Sequence, residues 1–154
     1  MIQNKSENWR DIGLLILRLG VGAMFMVHGI PKIVAGPELW AKLGSAMGNF
    51  GIHFWPTLWG FLAAISESGG GLLMMAGLAF RPAMAFMFIT MMVAATHHLT
   101  AGDGIQIASH AIEAGTLFLS LIFIGPGKCT LMRLFKRSES AAITFATGAF
   151  TSAP

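Results

Sequence analysis

Four runs of apolar residues, each about twenty long, dominate this sequence: Ile12–Ile30, Thr57–Phe80, Pro82–Leu99 and Ile105–Ile124. A helix rises about 1.5 Å per residue, so about 20 residues cross the hydrocarbon core of a bilayer. Every run is long enough to span. Their ends carry the punctuation of helices. Pro31 closes the first, Pro56 introduces the second, and Pro82 suits a first helical position. Gly125-Pro126-Gly127 stops the fourth. The first run reads as a span and not as a cleavable signal peptide, since no soluble domain follows it. Composition closes off the other classes. Charged residues make up 11% of the 154 positions and hydrophobic residues 55%, with 19 glycines besides. That leaves too little polar surface to coat a soluble domain of this size. Cys129 is the one cysteine, which excludes a disulfide scaffold and an internal C-x-x-C redox pair. The expectation is an all-α polytopic membrane protein, a four-transmembrane-helix bundle. It forms a single domain over residues 1–137, followed by a disordered Ser/Ala/Thr-rich tail at 138–154.

The cations set the expected topology. Lys5 and Arg10 precede the first run, Arg81 lies in the second connection, and Lys128, Arg133, Lys136 and Arg137 follow the last run. The first and third connections hold Lys32 and Lys42. Lys and Arg accumulate on the cytoplasmic side, so both termini are expected there. The net charge of +3 forms no basic stripe and points away from nucleic acid. In the first outer connection, Leu39, Trp40, Leu43 and Met47 recur at helical spacing. A short amphipathic helix lying in the outer interface, its aromatics forming a belt, is expected there.

Ionisable side chains inside a span cost roughly 2.5–3.5 kcal/mol each on insertion scales, so they are the informative residues. The sequence offers Arg18 and His28 on the first helix, Glu67 on the second, His97 and His98 on the third, and His110 and Glu113 on the fourth. Around Glu67 the same face carries Gly60, Ala63, Ala64, Gly70 and Gly71, so it should turn inward against a neighbouring backbone. Gln106, Ser109, His110, Glu113, Thr116 and Ser120 make one polar stripe, expected to face inward too. Arg18, Gly22, Phe25, Gly29 and Lys32 share a face of the first helix. Counting the rise from the cytoplasmic ends puts Arg18 at about 9 Å, both carboxylates at about 18 Å and the histidines at roughly 22–24 Å. Glu67 and Glu113 are therefore expected in one polar slab with His110 and at least one of His28, His97 and His98. Two carboxylates so placed would share a proton.

Three readings of that slab remain open. Imidazole and carboxylate suit a transition metal, with His28, His97, His98, His110, Glu67 and Glu113 as candidate ligands. The same groups could relay protons or hydrogen-bond a quinone, with Glu67 and Glu113 exchanging protons and His28, His110 and Arg18 binding the cofactor. Or they are packing groups that fix helix register. Met84, Met87 and Met91 line one face of the third helix, either as core or as a soft-metal path.

Taken together, the motifs resemble the DoxX family of small bacterial membrane proteins. They are Leu17-Arg18-Leu19-Gly20, His28-Gly29-Ile30-Pro31-Lys32, Glu67-Ser68-Gly69-Gly70-Gly71-Leu72-Leu73, Gly77-Leu78-Ala79-Phe80-Arg81-Pro82-Ala83, and Glu113 with Gly125-Pro126-Gly127. The segment continues with Cys129, Thr130 and Leu131, where the family usually has a Ser and an Asp. The resemblance covers residues 12–131 and implies a four-helix bundle in the bacterial inner membrane. It also implies a link to redox metabolism. Some relatives are subunits of a thiosulfate:quinone oxidoreductase, and others are membrane partners in oxidative-stress assemblies. The function expected from both lines is a membrane component of a redox system handling quinone or protons. The alternative is a non-catalytic scaffold that docks a soluble redox or stress-response enzyme. Expected partners are the lipid bilayer, a soluble cytoplasmic redox protein or a second membrane subunit.

Overall fold

Each apolar run becomes a helix, and glycine or proline marks nearly every boundary. The computed structural model describes residues 2–131 and 133, so the tail expected at 138–154 and the far end of the expected domain lie outside the described residues. The elements are α1 (Ile2–Ala35), α2 (Pro37–Gly44), a 3-10 turn (Ser45–Phe50), α3 (Pro56–Ala76), α4 (Phe80–Ala101) and α5 (Ile105–Ile124). No strand occurs among the described residues. Helices α1, α3, α4 and α5 are long and apolar enough to cross a membrane. The all-α bundle with four membrane spans is thus present.

Several boundaries differ from the sequence reading, beginning with α1, which starts at Ile2 and not Ile12. The first helix runs through Pro31 to Ala35. A proline removes one backbone donor and crowds the preceding turn, but a spanning helix tolerates this where neighbours hold the next residues. Here they do: Trp40 Nε1 donates to the Lys32 carbonyl at 2.8 Å, and the Lys32 ammonium meets Glu67. Helix α3 stops at Ala76 rather than Phe80. Gly77 takes φ 68°, and its N–H turns back to the Met74 carbonyl at 3.2 Å. Helix α4 starts at Phe80, so Pro82 falls inside its first turn.

Helix α1 packs on α3, α3 on α4, and α4 on α5. Phe25 and Phe118 close the ring of helices, with centroids 4.9 Å apart in an edge-to-face arrangement. No hydrophobic force joins helices inside lipid, so close packing must do it. Gly22 and Gly29 of α1 lie directly against Gly71 and Ser68 of α3, where a Cβ would collide with backbone. Gly70, on α3, leaves room for Met87. Met84, Met87 and Met91 are buried among Met74, Phe118 and Leu121 as core packing. The short helix α2 is where an amphipathic helix was expected, but it docks on α3. Gly44 sits against Pro56, and Gly60 against the Trp40 backbone. One end of the bundle therefore carries α2. The other, the terminal end, gathers the start of α1, the α3–α4 connection and the segment after α5.

Candidate functional site

Glu67 is 5% exposed, in the middle of α3. Small neighbours surround it: Ala64, Ser66, Ser68, Gly70 and Gly71 are all buried. These let α1 come close enough for Lys32 to reach across. The Lys32 ammonium donates to both carboxylate oxygens, at 2.7 Å to Oε1 and 2.6 Å to Oε2. The pair is buried at the Glu67 end and half-buried at the Lys32 end. Counting from the start of α3, it lies about 16 Å below the α2 end. A carboxylate in that setting needs a cation with its hydrogen bonds made, and Lys32 provides one.

Trp40 links this pair to a cleft. Its indole N–H holds the Lys32 carbonyl, and its ring packs against Phe61 with centroids 4.6 Å apart. Trp40 and Phe61 also line an open, largely apolar cavity of about 580 Å³ with Trp55, Pro56, Thr57 and Leu58. Trp40 is thus part of the bundle, whereas Phe50, Phe54 and Trp55 stay exposed as belt residues would.

Arg18 does something else. It is 1% exposed and sits toward the terminal end. Its guanidinium donates to the carbonyls of Pro126 at 2.6 Å, Cys129 at 2.5 Å and Met75 at 3.4 Å. Nε is left without a protein partner. This clamp ties the Gly125-Pro126-Gly127 segment to α1 and α3. Asp11 supports it by accepting from the Lys128 backbone N–H at 3.1 Å. Arg81 Nε adds a bond to the Ile122 carbonyl at 3.1 Å. Arg18 neither reaches a carboxylate nor extends to the headgroups, because three backbone carbonyls meet it first.

The other candidates do not join Glu67. The polar stripe of α5 faces outward, not inward: Gln106, His110, Glu113, Thr116 and Ser120 are exposed and Ser109 is half-buried. The face of α5 that turns inward carries Ala108, Ala111, Gly115, Phe118 and Leu121. Its small residues admit α4, and packing decides helix orientation in lipid where polarity does not. Helix α4 separates α5 from α3. His28 and His97 are exposed as well. His98 pairs with Asp103 at 2.7 Å beside the α4–α5 connection. Among the described residues, no group of three or more His, Cys, Asp or Glu could hold a metal ion. The expected carboxylate–histidine slab is not assembled, and with it goes the reason for two carboxylates to share a proton.

Lys32 is the partner of Glu67 that the sequence reading placed instead in an outer connection. The signal was available, since it shares a helical face with Gly22 and Gly29, the two glycines that touch α3. Ending the helix at Pro31 hid it. Asp11 and the clamping role of Arg18 gave no local signal, because their partners lie more than a hundred residues away.

A family model described as DoxX matches residues 13–100. The chain belongs to the DoxX family. The matched stretch of the DoxX fold contains Arg18, Lys32, Trp40 and Glu67, and it stops before His110 and Glu113. The chain is also similar to an uncharacterised protein of Haemophilus influenzae, 30% identical over 138 residues that cover 86% of this chain and 97% of the relative. No solved structure matches. With its four apolar spans, this DoxX-family chain is a multi-pass membrane protein.

Proposed function

We propose that this DoxX-family protein is a membrane component of a redox system, and that it handles quinone and protons at the Lys32–Glu67 pair. The observation that carries this reading is the Lys32–Glu67 ion pair midway along α3, with Trp40 bonded to the Lys32 backbone carbonyl and lining an aromatic cleft. An ionisable pair inside a spanning bundle is a functional site by default, and Trp40, which bonds the Lys32 backbone, lines the cleft beside it. The donor set fits a quinone better than a metal. Lys32 already takes both Glu67 oxygens, and no imidazole stands near enough to complete a coordination sphere among the described residues. Trp40, Trp55 and Phe61, which line the cleft, offer flat apolar faces for a quinone ring. A bound quinone supplies the electron-carrying chemistry, with protons taken up on reduction. The residues of the chain hold the proton. It resides on Lys32 Nζ and can move along the 2.6 Å hydrogen bond to Glu67 Oε2.

The proposed setting is a bacterial inner membrane with both termini cytoplasmic. Placing Lys32 within the bundle leaves Lys42 as the cation of the outer connections, against seven in the tails and the second connection. The cleft then opens toward the outer leaflet. A second reading, a scaffold that docks a soluble enzyme, draws on the terminal end, where the Arg18 clamp holds the segment after α5 in a fixed shape.

Titrating the purified protein with a short-chain quinone and following tryptophan fluorescence tests the quinone reading. Saturable quenching is expected, weakened in Phe61→Ala and abolished in Trp40→Ala. Absence of saturable quenching in the folded wild-type protein, with a soluble enzyme retained on the same preparation, would establish the scaffold reading instead.

A further inference from the structure

Trp55 stands in a backbone conformation that its flat face alone does not explain. Its φ and ψ are 53° and 49°, in the left-handed region, at the N-cap of α3. A residue with a Cβ rarely settles there, and the proline that follows, Pro56, restricts it further. Glycine is the usual occupant, as at Gly51, φ 75°, in the turn before. The surroundings hold the strained position in place. The Trp55 carbonyl accepts from the N–H of Leu58 at 3.0 Å and of Trp59 at 3.2 Å. The Phe54 ring packs edge-on against Trp55 and Trp59, with centroids 5.7 and 6.4 Å apart. Trp59 Nε1 donates to the Phe54 carbonyl at 3.1 Å. Strain kept in this way collects at ligand sites. Burial does not offset it, since Trp55 is 69% exposed. Anchoring in the interface does not require it either. Phe50 and Phe54 are exposed as belt residues from positions without a positive φ.

We propose that Trp55 is the specificity-determining residue of the cleft, and that its indole N–H donates to a carbonyl oxygen of the quinone. The proposal rests on the quinone reading and names the form of the ligand that the site selects. Trp55 lines the cleft with Trp40, Phe61 and Thr57. Trp40 and Trp59 spend their indole N–H groups on the carbonyls of Lys32 and Phe54, whereas Trp55 Nε1 meets no partner among the described residues. Trp55 is thus the indole at the α2 end that is free to bind. An indole N–H only donates. A quinone oxygen only accepts, whereas a hydroquinone hydroxyl brings a proton of its own that needs an acceptor. Thr57, the hydroxyl on the lining, both donates and accepts and expresses no preference. The cleft therefore favours the oxidised ligand over the reduced one. Backbone conformation sets the direction in which a side chain leaves the chain, so the left-handed turn at Trp55 places this donor. That is the return for the strain.

Anaerobic calorimetric titration of the purified full-length protein with duroquinone, and separately with its hydroquinone, tests it. Wild type should bind the quinone about tenfold more tightly than the hydroquinone, the effect of one hydrogen bond. Trp55→Phe keeps a ring face and removes the donor. Its affinity for the quinone should fall about tenfold while its affinity for the hydroquinone stays, so the preference disappears. Trp55→Gly relieves the backbone. It should raise the unfolding midpoint in mild detergent and weaken quinone binding at least as much as Trp55→Phe. A gain of stability with a loss of binding is a result that a packing or anchoring role does not give. Equal affinity of wild type for the two forms, or an unaltered preference in Trp55→Phe, overturns the proposal and leaves the quinone reading standing. So does a Trp55→Gly variant that melts below wild type. Failure of folded wild type to bind either form overturns both.

Discussion

Glu67 and Glu113 are the same residue type, on two spanning helices, at depths within about one helical turn of each other. One is buried and accepts two hydrogen bonds from Lys32; the other stands exposed on the outside of the bundle. Counting residues gives each one's level along its helix. Azimuth depends on which face of each helix fits its neighbours, and there the two part. On α3 the polar residue sits among the small residues that admit α1. On α5 the small residues, Ala108, Ala111 and Gly115, lie on the face opposite the stripe. In lipid, close packing of small residues orients a helix more strongly than the polarity of one side chain. An acid next to glycine turns inward, and an acid opposite glycine turns outward.

The largest expected effect tests the buried half of this contrast. Lys32→Met leaves the Glu67 carboxylate buried without its cation and should cost about 3–5 kcal/mol. The drop should appear as a lower unfolding midpoint in mild detergent. Adding Glu67→Leu to Lys32→Met should recover much of it, because no buried charge is then left over. Full stability of Lys32→Met alone would break the comparison. Glu67→Gln is milder, since the amide keeps the shape and still accepts from Lys32; it should fold and lose any proton-dependent activity.

Next comes the clamp, where a buried cation is met by neutral carbonyls. Arg18→Lys cannot reproduce a planar fork that spans carbonyls on separate segments, and should cost about 2 kcal/mol. Trypsin cleavage after Lys128 in opened vesicles should accelerate, as the segment loses its anchor. An unchanged cleavage rate would show that the clamp does not hold that segment.

A smaller effect probes the close packing itself. Gly60→Ala puts a methyl group into the Trp40 backbone, and overpacking of this kind costs about 1–3 kcal/mol. Gly20→Ala meets nothing within 4 Å, and should stabilise α1 by about 0.5–1 kcal/mol through helix propensity. Matched thermal melts of the two variants would sharpen the rule that only glycines at helix crossings are required. The smallest effect belongs to Glu113. In mild detergent Glu113→Leu should change stability by no more than about 0.5 kcal/mol, as substitutions at exposed positions do. A loss as large as that of Lys32→Met would mean that the outward face is structural.

By itself the sequence determined the number of spans and the inward face of α3. Those depend on local properties: run length, the fixed rise of a helix, and clusters of glycine and alanine. It also held the line Arg18, Gly22, Phe25, Gly29 and Lys32, which marks the face of α1 that meets α3. Only the tertiary structure decided that Lys32 is the partner of Glu67, that Arg18 holds Pro126 and Cys129, and that the α5 stripe points away from the bundle. Each depends on which helix lies beside which and at what rotation. That choice is made by the fit of many small contacts at once, and no local stretch of residues records it.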